Sequence, residues 1–262
     1  MKPLEQLSDE IRRNLLGVLC DIDDTLSTDG RLTARAYGAM ERLQGTGLLV
    51  VPVTGRPAGW CDHIARMWPV DAVVGENGAF YFRYDDDSRR MIRRYHDTED
   101  VRARNRDKLA AVGAEVLAAV PGAAISADQA YREADIAVDF REDVAPLDQA
   151  EIDKIVEIMK SRGLTAKISS IHVNGWIGDY DKMTMTECLF AEQFDMDLRR
   201  EKERFIFAGD SPNDQPMFAY FPHAVGVANL RQFTEQLTSP PAYITEAEAG
   251  DGFAELADYL LA

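Results

Sequence analysis

A chain of 262 residues is long enough for one large domain or two modest ones around a real core, and its 46% hydrophobic and 28% charged residues suit an ordinary globular protein. The formal net charge of -16 argues against nucleic acid or an anionic membrane as partner, since both select basic patches. Cys20, Cys61 and Cys188 lie far apart without ligand spacing and read as reduced thiols of a cytoplasmic protein, and no signal-type or bilayer-spanning apolar stretch is seen.

The apolar run Leu15 to Cys20 reads as a buried strand and stops abruptly at Asp21-Ile22-Asp23-Asp24-Thr25. In extended chain Asp21 and Asp23 point the same way. Two carboxylates facing one pocket repel unless a cation or a shared proton intervenes, so the pair suggests either a metal ion or an acid working beside a nucleophile. Thr33 to Gln44 reads as a helix with Ala36, Met40 and Leu43 on one face, ended by Gly45. A second strand, Leu48 to Val53, runs into Thr54-Gly55-Arg56-Pro57, where a hydroxyl, a flexible glycine and backbone N–H groups can meet an anion. Pro57 opens a helix toward Trp68, with Trp60, Ile64 and Met67 predicted inward. Ala72 to Val74 and Phe80-Tyr81-Phe82 read as strands before a polar break at Asp85-Asp86-Asp87-Ser88.

The middle third changes character. Arg89, Arg90, Arg93 and Arg94 read as a solvated strand edge. Thr98 caps a helix from Glu99 to Val120 with Leu109, Val112, Val116 and Val120 on one stripe, stopped by Pro121-Gly122. Ile136, Val138 and Phe140 alternate as in a half-buried strand, and a helix after Pro146 spaces Ile152, Ile155, Val156 and Met159. Leu164, Ala166 and Ile168, then Ile171-His172-Val173, predict two more strands. Residues 86–178 therefore read as a small α+β domain inserted into a parallel-sheet domain formed by 1–85 and 179–262. The chain then offers Lys182 early in a helix from Asp181 toward Phe194, a strand Phe205 to Ala208 running into Gly209-Asp210-Ser211-Pro212-Asn213-Asp214, and a last strand Ala224 to Val227. Strand and helix in alternation predict a parallel sheet covered on both faces, with the ligand site off the carboxyl ends of its strands. His63, His96, His172 and His223 are scattered and read as packing or surface residues, as does Trp176.

Asp21 and Asp210 at adjacent strand ends would supply carboxylates to Mg²⁺, with the backbone carbonyl of Asp23 as a third ligand; Thr54 and Lys182 would hold phosphoryl oxygens. The four segments resemble, in order, the four motifs of the haloacid dehalogenase (HAD) superfamily: Asp21-x-Asp23-x-Thr25, Thr54, Lys182, and Gly209-Asp210-Ser211-x-Asn213-Asp214. The extra domain between the second and third motifs resembles the C2-type cap of the Cof-like group, subfamily IIB, as do Gly75-Glu76-Asn77-Gly78-Ala79 and the ending Tyr243-Ile244-Thr245 with Gly250-Asp251-Gly252-Phe253. Met183 departs from that pattern, because a small residue commonly follows the motif-three lysine; Lys167 is a second, poorer match to that lysine.

The resemblance implies a Rossmann-like core with an inserted cap, and a Mg²⁺-dependent phosphatase acting on a small phosphorylated metabolite, a sugar phosphate first, like sucrose-phosphate and mannosyl-3-phosphoglycerate phosphatases. It implies Asp21 as nucleophile, Asp23 as acid and base, Thr54 and Lys182 in catalysis, and Asp21, Asp23, Asp210 and Asp214 at the metal. Thr54, Gly55, Arg56, Asn77, Lys182 and Asn213 would bind substrate, with Arg56 alternatively closing an ion pair to the cap. Dehalogenases of the superfamily generally lack the second aspartate, so Asp23 favours phosphoryl chemistry. Two rival readings share these residues: a phosphosugar mutase of the same superfamily, and a non-catalytic phospho-ligand-binding protein, which should have lost a motif carboxylate.

Overall fold

The computed structural model describes residues 1–262. In chain order its strands are Lys2–Pro3 (β1), Gly17–Cys20 (β2), Ser27–Thr28 (β3), Arg31–Leu32 (β4), Leu49–Pro52 (β5), Val73–Gly75 (β6), Phe80–Asp85 (β7), Arg90–Tyr95 (β8), Ala124–Ile125 (β9), Asp135–Asp139 (β10), Thr165–Ile168 (β11), His172–Trp176 (β12), Phe205–Gly209 (β13), Val225–Gly226 (β14) and Tyr243–Ile244 (β15). The helices are Asp9–Asn14 (α1), Ala34–Gly45 (α2), Ala58–Met67 (α3), Glu99–Ala119 (α4), Gln149–Ser161 (α5), Lys182–Phe194 (α6), Leu198–Glu201 (α7), Gln215–Tyr220 (α8) and Ala249–Leu260 (α9).

Six strands form one parallel sheet in the order β1-β15-β14-β13-β2-β5. Its central strands are apolar throughout because both faces are covered. Val18 and Cys20 of β2, with Ile206 and Ala208 of β13, enter a core shared with α2, α3 and α9. Leu19, Phe205 and Phe207 enter a second core against α6 and α8. A parallel bridge between Val53 and Val74 carries the sheet on to β6, which pairs antiparallel with β7. The alternation of strands and helices thus yields the α/β core it predicts.

The inserted sheet has the order β11-β12-β10-β9, all antiparallel, with α4 and α5 on one face. Leu109, Val112, Val116, Ile152, Ile155 and Met159 meet Ile136, Val138 and Val173 in a core separate from the other two. β8 falls in the 86–178 segment read as the insert, but it pairs with β7 over its whole length, and Met91 and Tyr95 pack on the core of the parallel sheet.

Two expectations about side-chain direction are corrected. Pro57 is the N-cap of α3, and its buried residues are Ala58, Cys61, Ile64 and Ala65. Trp60 is 41% and Met67 60% exposed. Small side chains let α3 lie close on β6 and β7, while Trp60 covers the guanidinium of Arg56, 4.4 Å from its ring centroid. β10 is buried on both faces, because the polar face of the cap sheet is pressed against the core domain. No helix is long and apolar enough to cross a membrane.

Candidate active site

β2 and β13 are parallel neighbours with Cys20 opposite Ala208, so the chain leaves both strands at the same edge of the sheet. Asp21 follows there, its N–H donating to Ala208 O at 2.9 Å, and Asp210 follows β13. Carboxylate oxygens of Asp21, Asp210 and Asp214 lie within 4.8 Å of one another, and all three residues are buried. Gly209 permits this: a Cβ there would stand 2.6 Å from Asp214 Oδ2. The Asp210 N–H donates to that oxygen at 3.3 Å, and Thr25 Oγ1 donates to Asp210 Oδ1 at 3.0 Å. Lys182 Nζ donates to Asp21 Oδ1 at 2.9 Å and to Asp214 Oδ1 at 3.1 Å.

Three buried carboxylates face one ammonium, and the titration of Asp21, Asp210 and Lys182 reflects the deficit of positive charge. Burial pushes the Asp21 carboxyl up to about 7 against the pull of Lys182, with Asp214 and Asp23 adding to the rise. Burial, then Asp214 and Asp21, drives Asp210 well above the usual carboxylate range. Burial opposes the Lys182 ammonium, but Asp21 and Asp214 outweigh it and raise it above its ordinary range. An all-oxygen donor set short of cations suits a hard divalent ion such as Mg²⁺.

Thr54 is fully buried after β5, and its Oγ1 accepts from Arg56 N at 3.0 Å, leaving the hydroxyl proton available. Asn77 stands in the left-handed region at φ 56°, in a loop whose Gly78, at φ 105°, packs so close to the start of α6 that a Cβ would lie 2.0 Å from Asp181 O. The side chain of Asp181 accepts from Thr184 N at 2.7 Å and caps α6, which puts Lys182 in its first turn. The helix starts there in spite of Met183, which is half-buried. Asn77 Nδ2, Ser211 Oγ and Asn213 Oδ1 are buried without a protein partner.

Asp23 is not brought into the three-carboxylate cluster by its side chain. Its Oδ1 accepts from Arg56 Nε at 2.9 Å and from Arg56 Nη2 at 2.7 Å. The same guanidinium reaches the cap, donating to Glu142 Oε1 at 2.6 Å and to Asp128 Oδ2 at 3.4 Å. His172 Nε2 lies 2.9 Å from Glu142 Oε2. Burial opposes ionisation of Glu142, but His172 and Arg56 pull it down to about 2. From the cap, Arg132 donates to Gly55 O at 3.0 Å while paired with Asp128 and Asp135. From the core, the buried carboxylate of Glu76 accepts N–H groups from Ala58 and from the consecutive cap residues Glu133, Ala134 and Asp135.

Between the domains lies a narrow cavity, with Asp21, Asn77 and Asn213 on the core side and Ser169, His172 and Asn174 on the cap side. Asp128, Glu142, Arg132 and Glu76 were not legible as site residues, because each also makes contacts across the domain boundary that no local pattern reveals. The one available signal is the period of two in His172-x-Asn174-x-Trp176, which sets polar groups on one face of a strand.

Asp21, Lys182, Asp210 and Asp214, far apart in sequence, thus converge at one edge of the parallel sheet of an α/β fold. Residues 18–107 match the family model described as haloacid dehalogenase-like hydrolase. The chain is 27% identical over 241 residues to a phosphoglycolate phosphatase of Haloarcula marismortui, covering 91% of this chain and 94% of that one. Among solved structures it is similar to Thermoplasma acidophilum 0175, with a TM-score of 0.69, 18% identity, and coverage of 94% of this chain and 99% of the other. It is also similar to the sucrose-phosphatase of Synechocystis in complex with sucrose and phosphate, with a TM-score of 0.64, 17% identity, and coverage of 94% and 97%.

Proposed function

We propose that the protein is a Mg²⁺-dependent phosphatase that hydrolyses a small phosphorylated metabolite, a sugar phosphate first among the candidates, through an aspartyl-phosphate intermediate. The observation that carries this reading is the convergence of Asp21, Asp210, Asp214 and Lys182 at adjacent strand ends, beside a polar cavity roofed by a second domain. A phosphoglycolate phosphatase and a sucrose-phosphatase among the similar proteins support a small phosphomonoester as substrate. The free thiols of Cys20, Cys61 and Cys188 support the cytoplasm as its compartment.

Asp21 is the nucleophile. One of its oxygens attacks phosphorus in line, the bond from phosphorus to the ester oxygen breaks, and Asp23 gives a proton to the departing alcohol. Water then attacks the phosphorus of the aspartyl phosphate, Asp23 takes a proton from it, and inorganic phosphate leaves as Asp21 is regenerated. Arg56 holds the Asp23 carboxylate, so the guanidinium must yield at least one oxygen before Asp23 can serve the leaving group. Lys182, Thr54, Asn77 and Asn213 hold the phosphoryl oxygens that do not react, and the buried amide atoms without protein partners are suited to that task. Asp21, Asp210, Asp214 and the backbone carbonyl of Asp23 would hold Mg²⁺, which when bound would supply charge neutralisation at the phosphoryl group. The cap shuts out bulk water and selects the alcohol.

The test is phosphate release from a generic aryl phosphate. EDTA should silence the wild type and Mg²⁺ should restore it. Asp21→Asn should lower the rate by at least about 10³-fold with an unchanged circular dichroism spectrum. Substantial turnover by that variant refutes the covalent route, and isomerisation of a sugar phosphate without net phosphate release would favour the mutase.

A further inference from the structure

The face of the cap sheet turned toward the active centre is fixed by strand register. Lys167 on β11 and Ala137 on β10 both stand directly opposite Asn174 on β12, so the three share one face. Asn174 borders the cavity that holds Asp21 and Asp23, which sets Lys167 on the core-facing side. Ala166, Val173 and Val138 point the other way, into the core of the cap. Lys167 and Lys182 border a further cavity of about 70 Å³, walled by Trp176 and Met183. Asn77 and Asn213 border both cavities, so this one opens beside the phosphate position.

Charge distinguishes Lys167 from the other cations nearby. Lys182 is matched by Asp21 and Asp214, Arg56 by Asp23, Asp128 and Glu142, and Arg132 by Asp128 and Asp135. Lys167 is exposed and has no carboxylate partner, in a chain whose formal net charge is -16. An anionic group carried by the alcohol would meet strong repulsion from the carboxylates at the sheet edge, and an uncommitted ammonium one strand from Asn174 offsets it. The apolar walls of the same cavity suit a short carbon chain between the two anionic ends.

We propose that Lys167 determines specificity by receiving an anionic substituent of the leaving group, a carboxylate or a second phosphate. The inference rests on the phosphatase reading and narrows its substrate to small phosphomonoesters with a second negative group. The bland alternative is a lysine that merely guards an edge strand.

The experiment compares kcat/KM for four probes: 2-phosphoglycolate, fructose 1,6-bisphosphate, glucose 6-phosphate and an aryl phosphate. The wild type should favour one of the first two over glucose 6-phosphate. Lys167→Gln should reduce that preference by about 10- to 100-fold, chiefly through KM, as expected for a lost charge-assisted hydrogen bond. Lys167→Arg should recover most of it, and Lys160→Gln, on the exposed side of α5, should leave it unchanged. The anionic probe that suffers the larger loss identifies the substituent as carboxylate or phosphate. A preference unaltered in Lys167→Gln, or a wild type that favours glucose 6-phosphate, overturns the proposal while leaving the phosphatase intact. Release of phosphate from none of the four probes overturns both.

Discussion

At the scale of single residues, Lys182 is the counterweight of the acidic centre. It is buried, and it is the one cation hydrogen-bonded to Asp21 and Asp214. Replacing it by Met keeps the length of the side chain and leaves three buried carboxylates to repel each other. Without Lys182 the Asp21 carboxyl loses the pull that holds it at about 7, so at pH 8 the variant can relieve part of the repulsion only by taking up a proton. Urea denaturation in EDTA at that pH should therefore show a loss of about 3–5 kcal/mol, the usual cost of stranding a buried charge. Mg²⁺ should recover part of the loss, and its apparent affinity, read from the rise in Tm, should exceed that of the wild type. Phosphate release should still fall, by at least about 10²-fold, because the phosphoryl oxygens lose their ammonium. Equal stability of variant and wild type in EDTA would mean that Lys182 does not hold the cluster together.

At the scale of elements, the legible parts were those with a local signal. β2, β5 and β13 announce themselves as apolar runs because both of their faces are covered, and the polar residues at their ends stand out for the same reason. α2, α4 and α5 follow from spaced apolar residues and from caps such as Thr33 and Asp148. β1 and β15 contribute two residues each, too few for any period to register, whereas the equally short β14 lies inside the apolar run Ala224 to Val227. The inward face of α3 was misread because Trp60 is large and apolar, yet its partner is the Arg56 guanidinium. Glu76 was legible only as part of a resemblance, since nothing local reveals that its carboxylate collects N–H groups from residues far along the chain.

Glu76 also makes a testable joint between elements. Burial, then Asp135, pushes its carboxyl up to about 8, while Arg132 and the N–H groups of Glu133 and Ala58 oppose the rise; Cys61 and Tyr180 face the same pocket. The folded state thus keeps its proton to higher pH than the unfolded chain, whose carboxyl ionises near its ordinary value of about 4.3. Stability contributed by this group is complete below that value and is lost as pH rises toward 8. Glu76→Gln cannot ionise, and it turns one amide N–H toward backbone donors. Its cost, about 1–3 kcal/mol at pH 5, should therefore shrink by pH 8.5 in paired denaturation curves. A cost that grows with pH would sink this account of the joint.

At the scale of the whole molecule, the cap is tied to the core by more than its two covalent connections. Arg56 grips Glu142 and Asp128, Arg132 reaches Gly55, and Glu76 receives the N–H groups of residues 133–135. The cap nevertheless owns a complete apolar core beneath α4 and α5. Docking and folding of the cap are therefore separable, and hydrogen exchange can tell them apart. Arg56→Met removes the cation that joins Asp23 of the core to Glu142 and Asp128 of the cap; Glu142 keeps His172 and Asp128 keeps Arg132, but Asp23 loses its ion pair and the boundary its link. Amides of Glu133 to Asp135 and of Thr54 to Arg56 should exchange at least about tenfold faster in this variant, while those of α4 and α5 keep their wild-type protection. A cap that dwells away from the core also leaves the site open to water, so kcat/KM should fall with it. If α4 and α5 lost protection as much as the boundary did, Arg56 would be supporting the whole fold, and cap closure would have to be assigned to Glu76 and Arg132 instead.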